Sequence, residues 1–446
     1  MSILKKIFSG DSRTALVKKN IAGSFLIKGW NSLVQLLLVP ATLQCLSQYE
    51  YGIWLTISSI LLWIDQFDIG LGNGLRNKLA ESLANKDFNT ARKLISTTFL
   101  MSIIIIIPLT LFLLIIIEHV DCYAIFNTSP TFLPHLNSVL NTIVVFVGAT
   151  FIFKIIGNVY LGMQMPAINN LLVAIGRTLS LVCIVTLAFF NEHSFKLVAI
   201  AYTISPLAVY LFSYPITFHF FKKLRPSFFC FDRIKLREIL SLGIKFFFVQ
   251  ISGAVIFASS NLIISNVISP ESVTPYQVTY YYFSIPLMLF TIIITPIWSA
   301  TTDAYTKGDY DWIHRMERQM KRIVLYMIAI LIIMVIVSPI VYRIWLGEKI
   351  AVNIELSIGM AIYMSIIIFS LCYSTILFGI GKLRLLTIIT LFEAMVFVPL
   401  AYSLSKHFGI IGIVAALTIV NSLCAIANYI QLRKISTNQA YGIWNK

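Results

Sequence analysis

The amino-acid sequence predicts an all-α integral membrane protein with about twelve transmembrane helices. Of its 446 residues 58% are hydrophobic and only 12% are charged, and the mean hydropathy is +0.85. Soluble domains carry about 25% charged residues. Runs such as 103–117 are apolar on nearly every face, whereas the strands of a membrane barrel would alternate apolar and polar residues. Because unpaired peptide groups are costly in lipid, such runs favour helices.

Apolar runs bounded by charged residues, Gly, Pro or Asn mark the predicted spans. They form two sets of six around a basic segment near the middle of the chain. The first set is 20–43, 53–71, 94–117, 138–161, 167–190 and 197–221, and the second is 239–265, 276–300, 323–345, 354–380, 385–404 and 408–430. We therefore predict a first six-helix bundle in 1–221, a cytoplasmic basic linker in 222–238, and a second six-helix bundle with a short tail in 239–446.

The distribution of Lys and Arg predicts the orientation, since basic residues near helix ends are retained on the cytoplasmic side. Of the 34 Lys and Arg residues, the predicted outer ends and loops hold only Lys196, Arg343, Lys349 and Lys406. Both termini are therefore expected in the cytoplasm. Topology and anionic headgroups then account for the net charge of +15, so membrane lipids are expected partners and nucleic acid is not.

No residue pattern indicates a cofactor, a metal or a nucleophilic enzyme. The six cysteines lie far apart and lack paired metal-ligand spacing. The glycine-rich stretch 70–74 has the wrong spacing for a dinucleotide fingerprint, and we predict that it ends helix 2. No Walker motif or nucleophile elbow is present.

One segment of the first half recurs in the second. Residues 80–88 align with 302–310 at a shift of 222, so that acid falls on acid twice and an aromatic residue follows the second acid. Two parallel halves are typical of transporters that rock two bundles about a central cavity.

The chain resembles the multidrug/oligosaccharidyl-lipid/polysaccharide flippase superfamily, and within it the polysaccharide transporter branch that includes Wzx-type O-antigen flippases. The resemblance covers nearly the whole length. It rests on Tyr51-Gly52 at the start of helix 2, on Asp68-Ile69-Gly70-Leu71 at its end, on the pattern in 81–88 with its second-half counterpart, and on the twelve-helix plan.

This resemblance implies a flippase, not an enzyme, in the bacterial inner (cytoplasmic) membrane. Two bundles, open to one side at a time, would move a polyprenyl-diphosphate-linked oligosaccharide from the inner to the outer leaflet for O-antigen and lipopolysaccharide synthesis. The implied partners are this lipid-linked oligosaccharide and the polysaccharide polymerase and chain-length proteins.

Two alternatives stay open. One is a cation-coupled multidrug exporter of the same superfamily, although that branch places a coupling carboxylate in helix 1 or helix 7, where this chain has Lys28 and Lys245. The other is an intramembrane polysaccharide polymerase or ligase. Such enzymes usually need a sizeable outer loop, whereas the longest one expected here, 118–137, has about twenty residues.

Cations within the spans are the predicted substrate-binding residues. An ionised side chain at mid-bilayer costs about 2.5–3.5 kcal/mol, so each should face protein, water or substrate. Four lie between the inner face and the midplane, and we predict that they surround the diphosphate: Lys28, Lys154, Arg177 and Lys245. Arg177 is the leading candidate, because its planar donors match phosphate oxygens in pairs. Alternatively, Lys28 and Lys245 extend to the inner interface.

Three acidic residues are predicted to serve coupling or gating. Glu393, near the middle of helix 11, would titrate or bind a cation during transport, or else pair with a helix lysine or a hydroxyl. Asp65 and Asp68 close helix 2 at the inner face, where they would gate the inner mouth or pair with Arg76.

Two further sets of residues suit a transporter. Pro286 and Pro296 in helix 8 are the predicted hinge, because each removes an intrahelical hydrogen bond and permits a bend. Asn261 and Asn266 suit sugar hydroxyls, although hydrogen bonds between helices explain them equally well.

Overall fold

The computed structural model describes residues 12–64, 71–163, 165–306, 308–382, 384–437 and 439–445. In these ranges the chain forms helices joined by turns and short loops, and it contains no β-strand. Nine of the described helices are long and apolar enough to cross a membrane. The predicted all-α membrane fold is confirmed, whereas the count of twelve spans and the cytoplasmic termini stay predictions.

The longer helices of the described ranges are labelled in chain order. They are α1 Ser12–Cys45, α2 Gln48–Ile64, α3 Leu71–Ala84, α4 Phe88–His119, α5 Leu136–Gly162, α6 Pro166–Phe189, α7 Phe195–Phe220, α8 Arg233–Ile263, α9 Val273–Thr306, α10 Tyr310–Leu346, α11 Ile354–Ile380 and α12 Arg384–Ser436. Short helical turns lie at Cys122–Ile125, Lys222–Leu224, Phe228–Cys230, Ile264–Ile268, Pro270–Ser272 and Gly442–Asn445.

The helices follow the predicted spans closely where a long apolar run is the main signal. Helix α11 has the predicted bounds, and α5 extends the prediction by one or two residues at each end. Helix α12 joins two predicted spans, 385–404 and 408–430, and its backbone departs from helical geometry at Gly409. There φ is 59° and ψ is −139°, a conformation open to glycine because it has no Cβ atom.

Helix α3 corrects the sequence analysis, which predicted that the stretch 70–74 ends helix 2 and placed no helix between the spans 53–71 and 94–117. From Leu71 onward the backbone is helical, and residue 70 lies outside the described ranges. A Cβ atom added to Gly74 would collide with the carbonyl oxygen of Ile239, so the two backbones touch. The helix is stabilised by one buried stripe of leucines spaced four apart, Leu71, Leu75 and Leu79.

The predicted repeat has a structural counterpart. Asp87 and Asp309, which the shift of 222 superimposes, are the N-caps of α4 and α10. Each carboxylate accepts the backbone N–H three residues later, at 2.9 Å and 3.0 Å respectively. The residue before each cap has a left-handed φ, 57° at Lys86 and 73° at Gly308. The same turn therefore opens a long helix in each half.

The contacts divide the chain into two compact units. Unit 1 comprises 1–46, 64–124 and 128–247, and unit 2 comprises 47–63, 125–127 and 248–446. These units differ from the predicted bundles, because most of α2 belongs to unit 2 while the basic segment and the first half of α8 belong to unit 1. The division into a bundle of residues 1–221 and a bundle of residues 239–446, which would move against each other during transport, stays a prediction.

Unit 1 contains a buried cluster built from α3, α4, α5, α7 and α8. Its members include Leu75, Leu94, Ile156, Val159, Phe218 and Ile239. Helix α1 packs chiefly on α6, and α7 packs on both α5 and α6. These contacts fix the depths at which the polar side chains of the unit lie.

In unit 2, helix α2 is held by hydrogen bonds to the turn before α9 and to the end of α8. Gln48 Nε2 donates to the carbonyl of Glu271 at 3.1 Å, and Asn261 Nδ2 donates to the carbonyl of Leu55 at 3.3 Å. Between these bonds, a Cβ atom added to Gly52 would collide with the carbonyl oxygen of Pro270. These contacts explain why residues 47–63 belong to this unit.

Candidate functional site

Three of the four predicted phosphate-binding cations have described side chains, and all three lie in unit 1. Lys28 is on α1, Lys154 on α5 and Arg177 on α6, and each is partly buried. Lys245 lies on α8, but its side chain is outside what the structure describes. Three separate helices thus contribute cations to one unit.

A hydrogen bond fixes the relative depth of Lys28 and Arg177. Trp30 Nε1 on α1 donates to Thr178 Oγ1 on α6 at 3.0 Å. Lys28 is two residues from this bond and Arg177 is one residue from it, which at 1.5 Å per residue places both within about 3 Å of its depth. Helices α1 and α6 therefore carry their cations at one level of the unit.

Lys154 lies nearer the connection between α5 and α6. Gly157 of α5 faces Asn169 of α6 so closely that a Cβ atom at Gly157 would collide with the Asn169 amide oxygen. From this crossing Lys154 is three residues away and Arg177 is eight, so Arg177 lies about 7 Å farther from the connection. The Lys154 ammonium is 5.6 Å from the centre of the Phe151 ring, within the range of a cation–π contact.

The helices that carry these cations contain no carboxylate along their apolar lengths. Asp and Glu are absent from the sequence of α1, α5, α6 and α7, and in α4 the only one is Glu118 at its end. The predicted gating residues Asp65 and Asp68 lie outside the described residues. The described spans of unit 1 therefore carry a net positive charge.

Unit 2 buries an acidic residue in its last helix. Glu393 of α12 is 3% exposed, and its Oε1 accepts the backbone N–H of Cys424 at 3.1 Å, across the bend at Gly409. One turn beyond Cys424, Asn428 Nδ2 donates to Ser370 Oγ of α11 at 3.2 Å. Among the described residues, no Lys, Arg or His forms a salt bridge with this carboxyl group. Its observed partner is a backbone donor.

The predicted hinge prolines lie in one long helix. Pro286 and Pro296 are both within α9, which runs unbroken from Val273 to Thr306. Pro286 is buried, and the side chain of Pro296 is outside what the structure describes. Whether α9 bends at these residues during function stays a prediction.

The asparagines considered for sugar binding instead join segments of unit 2. Asn261 donates to Leu55 and also accepts from Gln277 Nε2 at 2.7 Å. Asn266 Nδ2 donates to the carbonyl of Ile125 at 2.6 Å. The sequence analysis did not predict the contact between α2 and the turn before α9, although it noted Tyr51-Gly52 at this position. A glycine stands there because the carbonyl oxygen of Pro270 approaches residue 52 too closely for a Cβ atom.

The chain is similar to polysaccharide transport proteins. Residues 17–301 match the model of a family described as polysaccharide biosynthesis protein. A candidate O-antigen transporter of Salmonella typhi is 23% identical over 414 residues, covering 90% of this chain and 92% of that protein. A candidate O-antigen export protein of Yersinia pseudotuberculosis is 21% identical over 401 residues, covering 86% of this chain and 88% of that protein.

A solved structure shares the fold. The inward-facing conformation of a multidrug resistance MATE family transporter of the MOP superfamily superimposes with a TM-score of 0.73 at 16% identity. The match covers 92% of this chain and 94% of that transporter. The chain therefore shares the fold of that transporter.

Proposed function

This chain belongs to the polysaccharide biosynthesis protein family, and from this membership we propose that it is a Wzx-type flippase. It would move a polyprenyl-diphosphate-linked oligosaccharide from the inner to the outer leaflet of a bacterial inner membrane by alternating access. The O-antigen relatives and the multi-pass transporter fold support this assignment. A polysaccharide polymerase and chain-length proteins would act on the same pathway.

The main support for the proposal is the positive charge of the described spans of unit 1. Placing an ionised group at mid-bilayer costs about 2.5–3.5 kcal/mol, so cations are retained in apolar helices where protein groups, water or an anionic ligand surround them. A diphosphate supplies negative charge at that depth. Attraction between such charges is much stronger in a water-poor cavity than in bulk water.

We assign the cations different parts in binding the diphosphate. Arg177 and Lys28, at one level, would contact the phosphate oxygens, with the guanidinium of Arg177 binding two oxygens at once. Lys154, about 7 Å nearer the connection between α5 and α6, would meet the substrate earlier on its way from the inner leaflet. Lys245 of α8 completes the proposed set.

Coupling and gating are assigned to the acidic residues and the prolines. We propose that Glu393 takes up a proton or a cation, because a carboxylate that is 3% exposed and accepts a backbone N–H needs a further positive charge. Asp65 and Asp68 would gate the inner mouth, and Pro286 with Pro296 would let α9 bend between the two states.

The shared fold with a multidrug transporter keeps a cation-coupled drug exporter as the second candidate. A pocket for cationic drugs would gain affinity from carboxylates in the spans. The apolar lengths of α4 to α7 have none, which favours an anionic substrate. The alternative of a polymerase or ligase has no support from the relatives, which are named for transport and export.

The test is transport of a fluorescent lipid-linked oligosaccharide by the purified protein in vesicles. Replacing Arg177 by Ala should lower the rate by about 10- to 100-fold, since hydrogen bonds to charged groups contribute about 1.5–3 kcal/mol. Arg177→Lys should recover only part of the rate, because an ammonium cannot bind two oxygens at once. Lys196→Ala, which removes an exposed cation at the start of α7, is the matched control.

Two results would contradict the proposal. One is wild-type transport rates in the alanine variants of Lys28, Lys154, Arg177 and Lys245. The other is efflux of cationic dyes by the wild-type protein, with no transport of the oligosaccharide.

A further inference from the structure

The segment that connects α7 to α8 presents aromatic side chains to its surroundings. We call residues 221–232 the aromatic loop. Phe229 is 99% exposed, more than any other large apolar residue that the structure describes, and Phe228 is 70% exposed. The exposed surface continues onto Phe220 at the end of α7 and Ile234 at the start of α8. Apolar surface of this kind marks an interaction site.

The aromatic loop is firmly attached to α4. Arg92 Nε donates to the carbonyl of Arg225 at 2.9 Å, and Ser96 Oγ accepts the N–H of Ser227 at 3.1 Å. Thr97 Oγ1 accepts the N–H of Asp232 at 3.0 Å. The three α4 residues lie within two turns of that helix. Phe228 and Phe229 are thus exposed on a loop whose backbone is fixed to α4 by hydrogen bonds.

A second anchor lies at the end of the loop. The Asp232 carboxylate accepts the N–H groups of Lys235 and Ile234 and lies 3.4 Å from the Lys93 ammonium. The backbone N–H of Lys235 contributes most, and these interactions together hold the pKa of Asp232 below its usual value. Leu224, near the start of the loop, is buried in the core of unit 1.

The sequence on both sides of Phe228 and Phe229 carries exposed positive charge. The acidic groups of the segment are already engaged, Asp232 with Lys93 and Glu238 with Lys235 at 2.9 Å. Five basic side chains between residues 222 and 237 are exposed: Lys222, Lys223, Arg225, Arg233 and Arg237. The segment follows the apolar helix α7 and belongs to the basic linker that the sequence analysis assigns to the cytoplasmic side, so we expect it at the inner surface of the bilayer. Cationic groups with interleaved aromatic residues suit a membrane surface of anionic lipids.

We propose that the aromatic loop is a binding site for anionic phospholipid in the inner leaflet. Phe228 and Phe229 insert among the acyl chains near the headgroups, while the surrounding cations contact the lipid phosphates. The site would anchor unit 1 in the leaflet from which the substrate is loaded. It is separate from the proposed cation set of the spans and does not depend on which substrate is carried.

The experiment measures lipid binding to the purified full-length protein in detergent. The probes are dioctanoyl phosphatidylglycerol, dioctanoyl phosphatidylcholine and glycerol phosphate, which has no acyl chain. The variants are Phe228→Ser with Phe229→Ser, and Lys222→Gln with Arg225→Gln and Arg233→Gln. Phe132→Ser is the control, because Phe132 is 66% exposed in a loop that contains no Lys or Arg.

We expect the wild type and the Phe132 control to bind phosphatidylglycerol at least about tenfold more tightly than phosphatidylcholine. The double phenylalanine variant should lose at least about fivefold in affinity for both lipids. The triple charge variant should lose the preference for phosphatidylglycerol. Equal binding of the two lipids by the wild type would overturn the proposal, as would an unchanged affinity in the phenylalanine variant.

Two further outcomes separate this site from other ligands. Binding of glycerol phosphate as tight as that of phosphatidylglycerol would indicate a site for free phosphate and would overturn the proposal. Hydrogen exchange of 222–232 in nanodiscs should slow when phosphatidylglycerol is added to phosphatidylcholine. Slowing only after a cytosolic extract is added would assign the surface to a soluble protein instead.

Discussion

Replacing Gly52 by Ala should destabilise unit 2, because α2 and the turn before α9 touch at this residue. An added Cβ atom would collide with the carbonyl oxygen of Pro270. The backbones cannot separate freely, since Gln48 Nε2 binds the carbonyl of Glu271 at 3.1 Å and Thr274 Oγ1 donates to the carbonyl of Gln48 at 3.0 Å. A methyl group here must displace α2 and weaken these bonds.

The magnitude follows from opposing contributions to the free energy of unfolding. Forcing an extra carbon into a packed contact costs about 1–3 kcal/mol. Each hydrogen bond lost when α2 shifts removes about 0.5–1.5 kcal/mol. The higher helix propensity of alanine adds about 1 kcal/mol to the free energy of unfolding and offsets part of this loss. With one hydrogen bond lost, we therefore expect a net loss of about 0.5–3.5 kcal/mol.

The assay is thermal unfolding of the purified protein in detergent, with Gly253→Ala as the matched control. Gly253 also lies in a helix, but beyond its chain neighbours and its own helix backbone no atom lies within 4 Å of the position that its Cβ would occupy. At about 2–4 °C per kcal/mol, Gly52→Ala should lower the apparent Tm by several degrees, whereas Gly253→Ala should leave it unchanged or raise it. Equal Tm values for the two variants would refute the close contact at Gly52.

Two further predictions concern the carboxyl groups. Glu393→Gln keeps an oxygen that accepts the N–H of Cys424, so Tm should change by less than about 2 °C. Transport driven by an imposed ion gradient should fall at least about tenfold. An unchanged response to the gradient would exclude coupling through this residue. The pKa of Asp232 is lower in the folded protein than in the unfolded chain. The ionised Asp232 carboxylate therefore stabilises the fold at any pH above the ordinary carboxyl pKa. This stabilisation is lost as the pH falls through the pKa of the folded state. Hydrogen exchange of the aromatic loop should therefore be constant near neutral pH after correction for intrinsic rates and should rise only below about pH 4. An Asp232→Ala protein with the same protection as the wild type would contradict this account of the loop anchor.

Local features of the sequence predicted the elements of the fold well. The bounds of α11 could be assigned because a long apolar run ends at Gly381, whose φ is 76°. The turn before α4 and α10 was visible as a repeat because a capping aspartate acts on residues a few positions away. Helix α3 was missed because it is not apolar overall, and only its buried leucine stripe stabilises it within unit 1.

The candidate site was predictable only in part. Composition singled out Lys28, Lys154 and Arg177, because charges are rare in such helices and cost energy there. It could not show that Trp30 and Thr178 bring two of them to one depth. Nor could it show which donor binds Glu393. The donor is the backbone N–H of Cys424, and because nearly every residue has such a group, the residue type does not identify it.

The sequence by itself determined that this protein spans a membrane, which apolar runs form its helices, and which charges lie within them. The tertiary structure decided which helices meet, including the position of α2 in unit 2 and the attachment of the aromatic loop to α4. The physical reason is that hydropathy and capping act within one helix. A helix that is apolar on every side carries no signal for the face it turns to its neighbours, so its partners are fixed only by packing and by the few hydrogen bonds that packing permits.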